Sequence, residues 1–180
     1  MIDLAIRNGW LIDGTGGLRH RADIGIQGEQ VVEIGRVSTA RIELDATDQV
    51  VSPGFIDPHS HSDFTLHANR ESHSSIRQGG HIEYLAHHVR EMKTISLETA
   101  IHKMAAKPAK RFGIKKRGVL KEGNFADVVV FDPANVRTKS TVQQPRAYPE
   151  GIQLVVVNGT IAVKNGEHSG SMTGKVLRRR

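Results

Sequence analysis

Residues 51–63 read VSPGFIDPHSHSD, an apolar run that ends in two histidines one residue apart. Side chains at positions i, i+2 and i+4 of an extended chain lie on one face, so His59, His61 and Asp63 point the same way, and Asp57 is a fourth candidate. Two imidazoles in this arrangement can hold one divalent metal, and a carboxylate can bind it or orient a ligand. The alternative is a pair of exposed histidines without function, which is the better interpretation of an isolated H-x-H.

Strand patterns lie on both sides of this stretch. Apolar and polar residues alternate over 22–26 and 31–34, and residues 128–131 form a fully apolar run bounded by turn residues. Asn8-Gly9 and Asn158-Gly159 lie between alternating segments, and both residue types tolerate positive φ. The patterns predict two β-hairpins and several short strands.

The middle of the chain has helical periodicity. Apolar residues recur at helical spacing over 82–92. Ser96 is a candidate N-cap for a second helix that we expect to run to about Ala106, with Pro108 interrupting it. Gly113 is a candidate C-terminal stop.

Composition sets broad limits. The chain has 180 residues, 38% of them hydrophobic and 24% charged, and a formal net charge of +6, which is typical of a folded globule. It contains no cysteine, which excludes disulfides and thiolate ligands. The first ten residues do not resemble a signal peptide and no apolar run is long enough for a membrane helix, so we expect a cytoplasmic protein with no membrane partner.

Several stretches together resemble one family. PGFIDPHSHSD is similar to the first-barrel-strand motif of the amidohydrolase superfamily. IRNGWLIDGTGG and ADIGIQGEQVVEIG resemble its N-terminal β segment, and GVLKEGNFADVVVFDP and VVVNGTIAVKNGEHSG resemble its C-terminal β segment. PRAYPEGIQLVVVNG, AAKPAKRFGI and HSGSMTGKVLRR are similar to the N-acyl-D-amino-acid deacylase (D-aminoacylase) branch.

The resemblance implies a β-sandwich attached to a (β/α)₈ barrel. It also implies zinc, a small N-acyl amino acid as substrate, and hydrolysis of a non-peptide C–N bond by an activated water. His59 and His61 match the family's metal-ligand pair, and Asp63 matches a common neighbour that binds the metal or orients a ligand.

The chain is too short for that barrel, which takes about 250 residues. From Phe55 to Phe112 there are 58 residues (112 − 54), and the join lies around residues 79–81. We therefore predict a mainly β protein with some α: a composite β-sandwich from residues 1–50 and 117–180, and a truncated barrel remnant over 51–116 with the first strand and two or three helices. Two matched ligands, where catalytic zinc usually has three, put the metal's occupancy in question.

Two further clusters have both a functional and a structural interpretation. His67, His73, His81, His87, His88 and His102, with Glu83 and Glu91, could complete a metal site or form a solvated helix face. Eight basic residues could meet phosphates or form a solvated helix end: Lys103, Lys107, Lys110, Arg111, Lys115, Lys116, Arg117 and Lys121. We favour the structural interpretation for both clusters and expect no nucleic-acid partner.

Three hypotheses remain open. The first is a metal-dependent amidohydrolase by descent that is impaired or inactive as this chain. The second is a non-catalytic β-sandwich remnant that acts as a binding or assembly module and self-associates through apolar surface once covered by the barrel. The third is an internal deletion in a longer gene.

Overall fold

The computed structural model describes residues 1–57, 80–139 and 147–177. The strands in this part of the chain are β1 Ile2–Arg7, β2 Trp10–Leu11, β3 His20–Arg21, β4 Asp23–Gln27, β5 Gln30–Gly35, β6 Ala40–Asp45, β7 Val50–Pro53, β8 Val128–Phe131, β9 Ile152–Val157, β10 Thr160–Lys164 and β11 Glu167–His168. The helices are α1 Gly80–Tyr84, the π-helix Leu85–Glu91, α2 Leu97–Met104 and α3 Ala106–Phe112.

The strands form two sheets. The smaller has four strands in the order β5-β4-β1-β6, and the larger has seven in the order β11-β10-β9-β8-β7-β2-β3. N-terminal and C-terminal strands meet inside the larger sheet, where β7 pairs antiparallel with β8 and parallel with β2. The predicted composite β-sandwich is therefore confirmed, and its larger sheet continues through Val50–Pro53, three residues (53 − 50) past the predicted boundary.

Strand β8, inside the larger sheet, is buried on both faces, which explains its apolar run. Val128 and Val130 pack with the smaller sheet, in a core that includes Leu4, Ile6 and Ile24. Val129 and Phe131 face the other way, into a second core with the helices. A strand covered on both faces has no polar side to alternate with.

The turn at Asn8-Gly9 corrects one prediction. Asn8 has the expected positive φ of 63°, but β1 lies in the smaller sheet and β2 in the larger, so the turn is a crossover and the predicted hairpin is wrong. The chain crosses again from the smaller to the larger sheet between β6 and β7. Strand β6 is parallel to β1, and β7 is parallel to β2. The Asn8 side chain donates to Asp45 over 2.9 Å at this point.

The second predicted hairpin is confirmed. Val157 of β9 pairs with Thr160 of β10, and the two residues between them have φ values of 48° at Asn158 and 78° at Gly159. Positive φ at both positions is the type I′ geometry that suits the strand twist.

The helices lie where the sequence predicts them, but residues 85–91 form a π-helix and Pro108 does not interrupt a helix. Ser96 caps α2, because its hydroxyl accepts from the backbone N–H of Thr99 over 3.2 Å, and Gly113 ends α3 with φ 68°. Helix α2 stops at Met104, and Pro108 lies inside the first turn of α3, where an absent N–H breaks no helical hydrogen bond. Among the helices of the described ranges, none is both long and apolar enough to cross a membrane.

Candidate functional site

A cavity of about 400 Å³ opens at the carboxyl end of β7. Residues 54–57 form one wall, His81 and Ile82 of α1 form another, and Val129 and Val155 of the larger sheet lie among the apolar lining. The cavity therefore adjoins the chain immediately before the H-x-H motif, since Asp57 is two residues from His59.

Backbone hydrogen bonds hold this wall in place from two sides. Gly54 N–H donates to the carbonyl of Asp127 over 2.9 Å, and Ile56 N–H donates to the carbonyl of Met104 over 2.8 Å. Phe55 packs edge-on against Phe131, with ring centroids 6.4 Å apart. The sheet and helix α2 together fix the direction in which the chain leaves β7.

His81 is the histidine that the described residues bring into this cavity. Its ring lies 5.7 Å from the ring of Phe55, between centroids. Burial lowers the pKa of His81 below its usual value, and the nearby Asp57 carboxylate and the Ile56 backbone oppose that shift. A buried neutral imidazole beside a carboxylate can accept or donate a hydrogen bond at neutral pH.

A buried ion-pair cluster forms the base of the cavity. The guanidinium of Arg117, whose side chain is only 9% exposed, donates to Asp127 and to the side-chain oxygen of Asn158 over 2.5 Å. Asp127 also accepts from the Asn158 N–H over 2.9 Å, and the Asn158 amide donates to the Thr173 carbonyl over 2.6 Å. The interpretation of Arg117 as part of a solvated basic stretch is wrong, since it is buried and paired.

The sequence carried one signal for this cluster. Asp127 directly precedes a fully apolar run and Asn158 lies at a predicted hairpin turn, a pattern that could have placed both residues at strand ends. No local pattern joined either of them to Arg117, because the contact depends on how the loop after α3 folds back onto the sheet.

The predicted metal ligands His59 and His61, and the further candidate Asp63, lie outside the described residues, as do His67 and His73. Their assignment stays a prediction from the sequence. Within residues 1–57, 80–139 and 147–177, no three histidine, aspartate or glutamate side chains come together as a metal site.

Each histidine of the π-helix contacts a side chain four residues away in the sequence. His87 Nδ1 lies 3.1 Å from Glu91 Oε2, and His88 packs on the ring of Tyr84 with centroids 4.9 Å apart. The π-helical bonds, such as Met92 N–H to the His87 carbonyl over 2.8 Å, change the spacing that an α-helix would give. His81 lies in α1, before the π-helix, and packs with Phe55.

Similar proteins with known activities match parts of the chain. N-acyl-D-aspartate deacylase from Alcaligenes xylosoxydans xylosoxydans is 47% identical over 90 residues, which are 49% of this chain and 18% of that enzyme. N-acyl-D-glutamate deacylase from the same organism is 53% identical over 64 residues, which are 34% of this chain and 13% of that enzyme. The chain thus spans less than a fifth of the length of these relatives in the matched regions.

Solved structures share the fold. A crystal structure of D-aminoacylase has a TM-score of 0.93 at 14% identity, covering 99% of this chain and 100% of that chain. The structure of N-acyl-D-glutamate deacylase from Bordetella bronchiseptica, complexed with zinc and a phosphonate inhibitor, has a TM-score of 0.84 at 14% identity, covering 96% of this chain and 100% of that chain. At this identity the likeness concerns the fold alone.

A family model described as the amidohydrolase family matches residues 72–163. That range is 92 residues long (163 − 72 + 1) and covers just over half of the 180-residue chain. Together with the fold and the relatives, this match shows that the chain belongs to the amidohydrolase family.

Proposed function

We propose that the chain derives from a metal-dependent deacylase that hydrolyses the non-peptide C–N bond of N-acyl-D-amino acids, and that by itself it turns over such substrates poorly or not at all. The observation that carries the proposal is the cavity at the end of β7, placed directly before the H-x-H pair. The named relatives act on N-acyl-D-aspartate and N-acyl-D-glutamate, which supports the substrate class.

The metal ligands are the reason to expect poor turnover. His59 and His61 are two neutral nitrogen donors, and zinc bound between such donors would activate water and polarise an acyl carbonyl. A catalytic zinc usually needs a third protein ligand, and the family motif in this sequence supplies two, His59 and His61. These two donors therefore provide only part of a catalytic centre.

The domain division belongs to the same proposal. We assign residues 1–50 and 117–180 to the composite sandwich, whose larger sheet also includes residues 51–53, and the rest of residues 51–116 to the barrel remnant. In support, strands from both ends of the chain pair in one sheet, and helices α1 to α3 lie between them in sequence.

Zinc content and deacylation test the proposal in one preparation. We expect the purified chain to bind less than one zinc per chain and the His59→Ala/His61→Ala variant to lose that zinc, as measured by elemental analysis. N-acetyl-D-glutamate and N-acetyl-D-methionine should release no amino acid above the zinc background. His20→Ala, an exposed histidine on β3, is the matched control and should keep the zinc.

Two results would contradict the proposal in different places. If the double variant binds as much zinc as the unchanged chain, His59 and His61 are not zinc ligands. Turnover that a chelator abolishes and that His59→Ala removes would show that the chain is a working hydrolase.

A second candidate function is an assembly module, and the half-exposed apolar wall of the cavity favours it. Val155, Val157 and Ile152 are only partly buried although they lie on the larger sheet. We expect self-association through this wall, because a second copy would remove its apolar surface from water. Light scattering that finds only monomer at 100 µM, a concentration on the order of those where weak dimers form, would count against it.

A further inference from the structure

The positive charge of the chain is concentrated in one segment. Residues 99–121 contain eight lysines and arginines and no aspartate or glutamate. The whole chain has 25 basic and 19 acidic residues, so the rest has 17 basic residues (25 − 8) against 19 acidic ones and a net charge of −2 (17 − 19). The net charge of +6 therefore depends entirely on this segment.

Seven of the eight cations are exposed and have no ionic partner among the described residues, unlike Arg117. We call them the cationic surface: Lys103, Lys107, Lys110, Arg111, Lys115, Lys116 and Lys121. Most other arginines in the described ranges pair with a carboxylate, as Arg7 does with Asp23 and Glu43.

Two grooves run along the cationic surface and meet. A groove of about 650 Å³ is lined by Lys103, Lys107 and Lys110. A second groove of about 850 Å³ is lined by Lys115 and Lys116, and also by the carboxylates of Asp57 and of Glu29, which pairs with Lys175. Both grooves include Ile114 and Arg117 in their walls, so the five lysines border two adjoining grooves.

An exposed aromatic ring lies on this path. Phe112, the last residue of α3, is 48% exposed and lines the second groove. Arg111 and Lys115 flank it in sequence, and Gly113 turns the chain directly after it with φ 68°. An exposed aromatic face among cations is the arrangement on which nucleobases stack while phosphates meet the lysines.

The helix dipole accounts for the positions of only some of the residues in the cationic surface. Lys103 lies in the last turn of α2, and Lys110 and Arg111 lie in the last turn of α3, where cations complement the helix dipole. Lys107, Lys115 and Lys116 lie elsewhere. The concave shape also fits a strand-like polyanion better than a flat anionic membrane.

We propose that the cationic surface binds single-stranded nucleic acid, with phosphates along the five groove lysines and a base stacked on Phe112. From the sequence, a solvated helix end was the favoured interpretation of these basic residues, because the exposure of Phe112 and the two adjoining grooves appear only in the fold. The proposal is independent of the deacylase proposal, since it uses none of the predicted metal ligands.

Fluorescence anisotropy with labelled dT20 and U20 tests the proposal on the full chain. If five lysines each meet one phosphate, affinity should fall about 100-fold between 50 and 200 mM salt. Lys107→Gln/Lys110→Gln/Lys115→Gln should weaken binding about tenfold or more. Phe112→Leu keeps an apolar side chain but removes the ring, and should weaken binding on the order of tenfold.

The control removes the same charge elsewhere. Arg36→Gln/Lys93→Gln/Lys164→Gln replaces three cations that lie outside the cationic surface and form no ion pair with a described carboxylate, and should change affinity less than about threefold. The proposal is overturned if both triple variants lose affinity equally, or if neither oligonucleotide binds at 50 mM salt. Tighter binding to a duplex of the same length, or to phosphatidylglycerol vesicles, would also overturn it.

Discussion

At the residue scale, neighbouring basic residues have opposite environments. Lys115 and Lys116 are exposed, whereas the next residue, Arg117, is buried against Asp127 and Asn158. Its guanidinium also lies 4.2 Å from the ring centroid of Phe125, which adds a cation–π contact. The charge of Arg117 is therefore neutralised inside the protein and supports the base of the cavity.

Removing the partner of Arg117 should destabilise the fold. We expect Asp127→Ala to lower the free energy of unfolding by about 3 kcal/mol, because it leaves a buried guanidinium without its carboxylate. Urea denaturation measures this change. Asp48→Asn, which removes an exposed partner of Arg21, is the control and should have little effect, so equal losses in both variants would contradict the argument.

His81 should make stability depend on pH. Because burial lowers its folded-state pKa, the unfolded chain binds the proton more readily below the ordinary histidine pKa of about 6.5. Stability is therefore complete above that value and falls as the pH drops from about 7 towards the folded-state pKa. We expect His81→Gln to weaken the dependence of the unfolding free energy on pH below about pH 7, and an unchanged dependence would disprove this assignment.

At the element scale, two turns of the same type have different surroundings. Gly159 and Gly166 both follow an asparagine and have φ values of 78° and 82°. A β-carbon on Gly159 would overlap the carbonyl oxygen of Gly28 in the β4–β5 turn, whereas a β-carbon on Gly166 would meet nothing within 4 Å. The turn at Gly159 thus closes one end of the sandwich, while the turn at Gly166 is free of such contacts.

Replacing each of these two glycines with alanine should distinguish the loss of stability caused by backbone strain from the loss caused by a steric clash. We expect Gly166→Ala to cost about 1 kcal/mol, the penalty for a left-handed alanine. Gly159→Ala should cost about 3 kcal/mol, because the clash with Gly28 adds to the same strain. Thermal unfolding of the two variants measures the difference in stability. If both variants lose the same stability, the turn at Gly159 can move away from Gly28 and the contact does not constrain the fold.

At the scale of the whole molecule, both ends of the chain build one structure. Strand β7 from the N-terminal part pairs with β8 from the C-terminal part over four residue pairs. Both hydrophobic cores draw on both parts, since Val51 and Val130 share one core and Val50 and Phe131 share the other. Neither part can bury its apolar surface alone.

Two chains should therefore reconstitute the fold. We expect residues 1–57 and 80–180, produced together as separate polypeptides, to co-elute as a one-to-one complex in gel filtration. Val51→Asp should abolish the complex, because Val51 is fully buried, whereas Val176→Asp, at a position 86% exposed, should not. Fragments that each fold as monomers would show that the two parts are independent domains.

The sequence alone determined the composite sandwich, the hairpin at Asn158-Gly159, the Ser96 cap and the family, because each depends on local periodicity, turn chemistry or a continuous motif. It also predicted the ligand pair His59 and His61, which lie beyond the described residues. Only the tertiary structure decided that Asn8-Gly9 is a crossover and that Arg117 is buried. Strand partners and burial depend on residues distant in the chain, and the local patterns at Asn8-Gly9 and around Arg117 do not contain those partners.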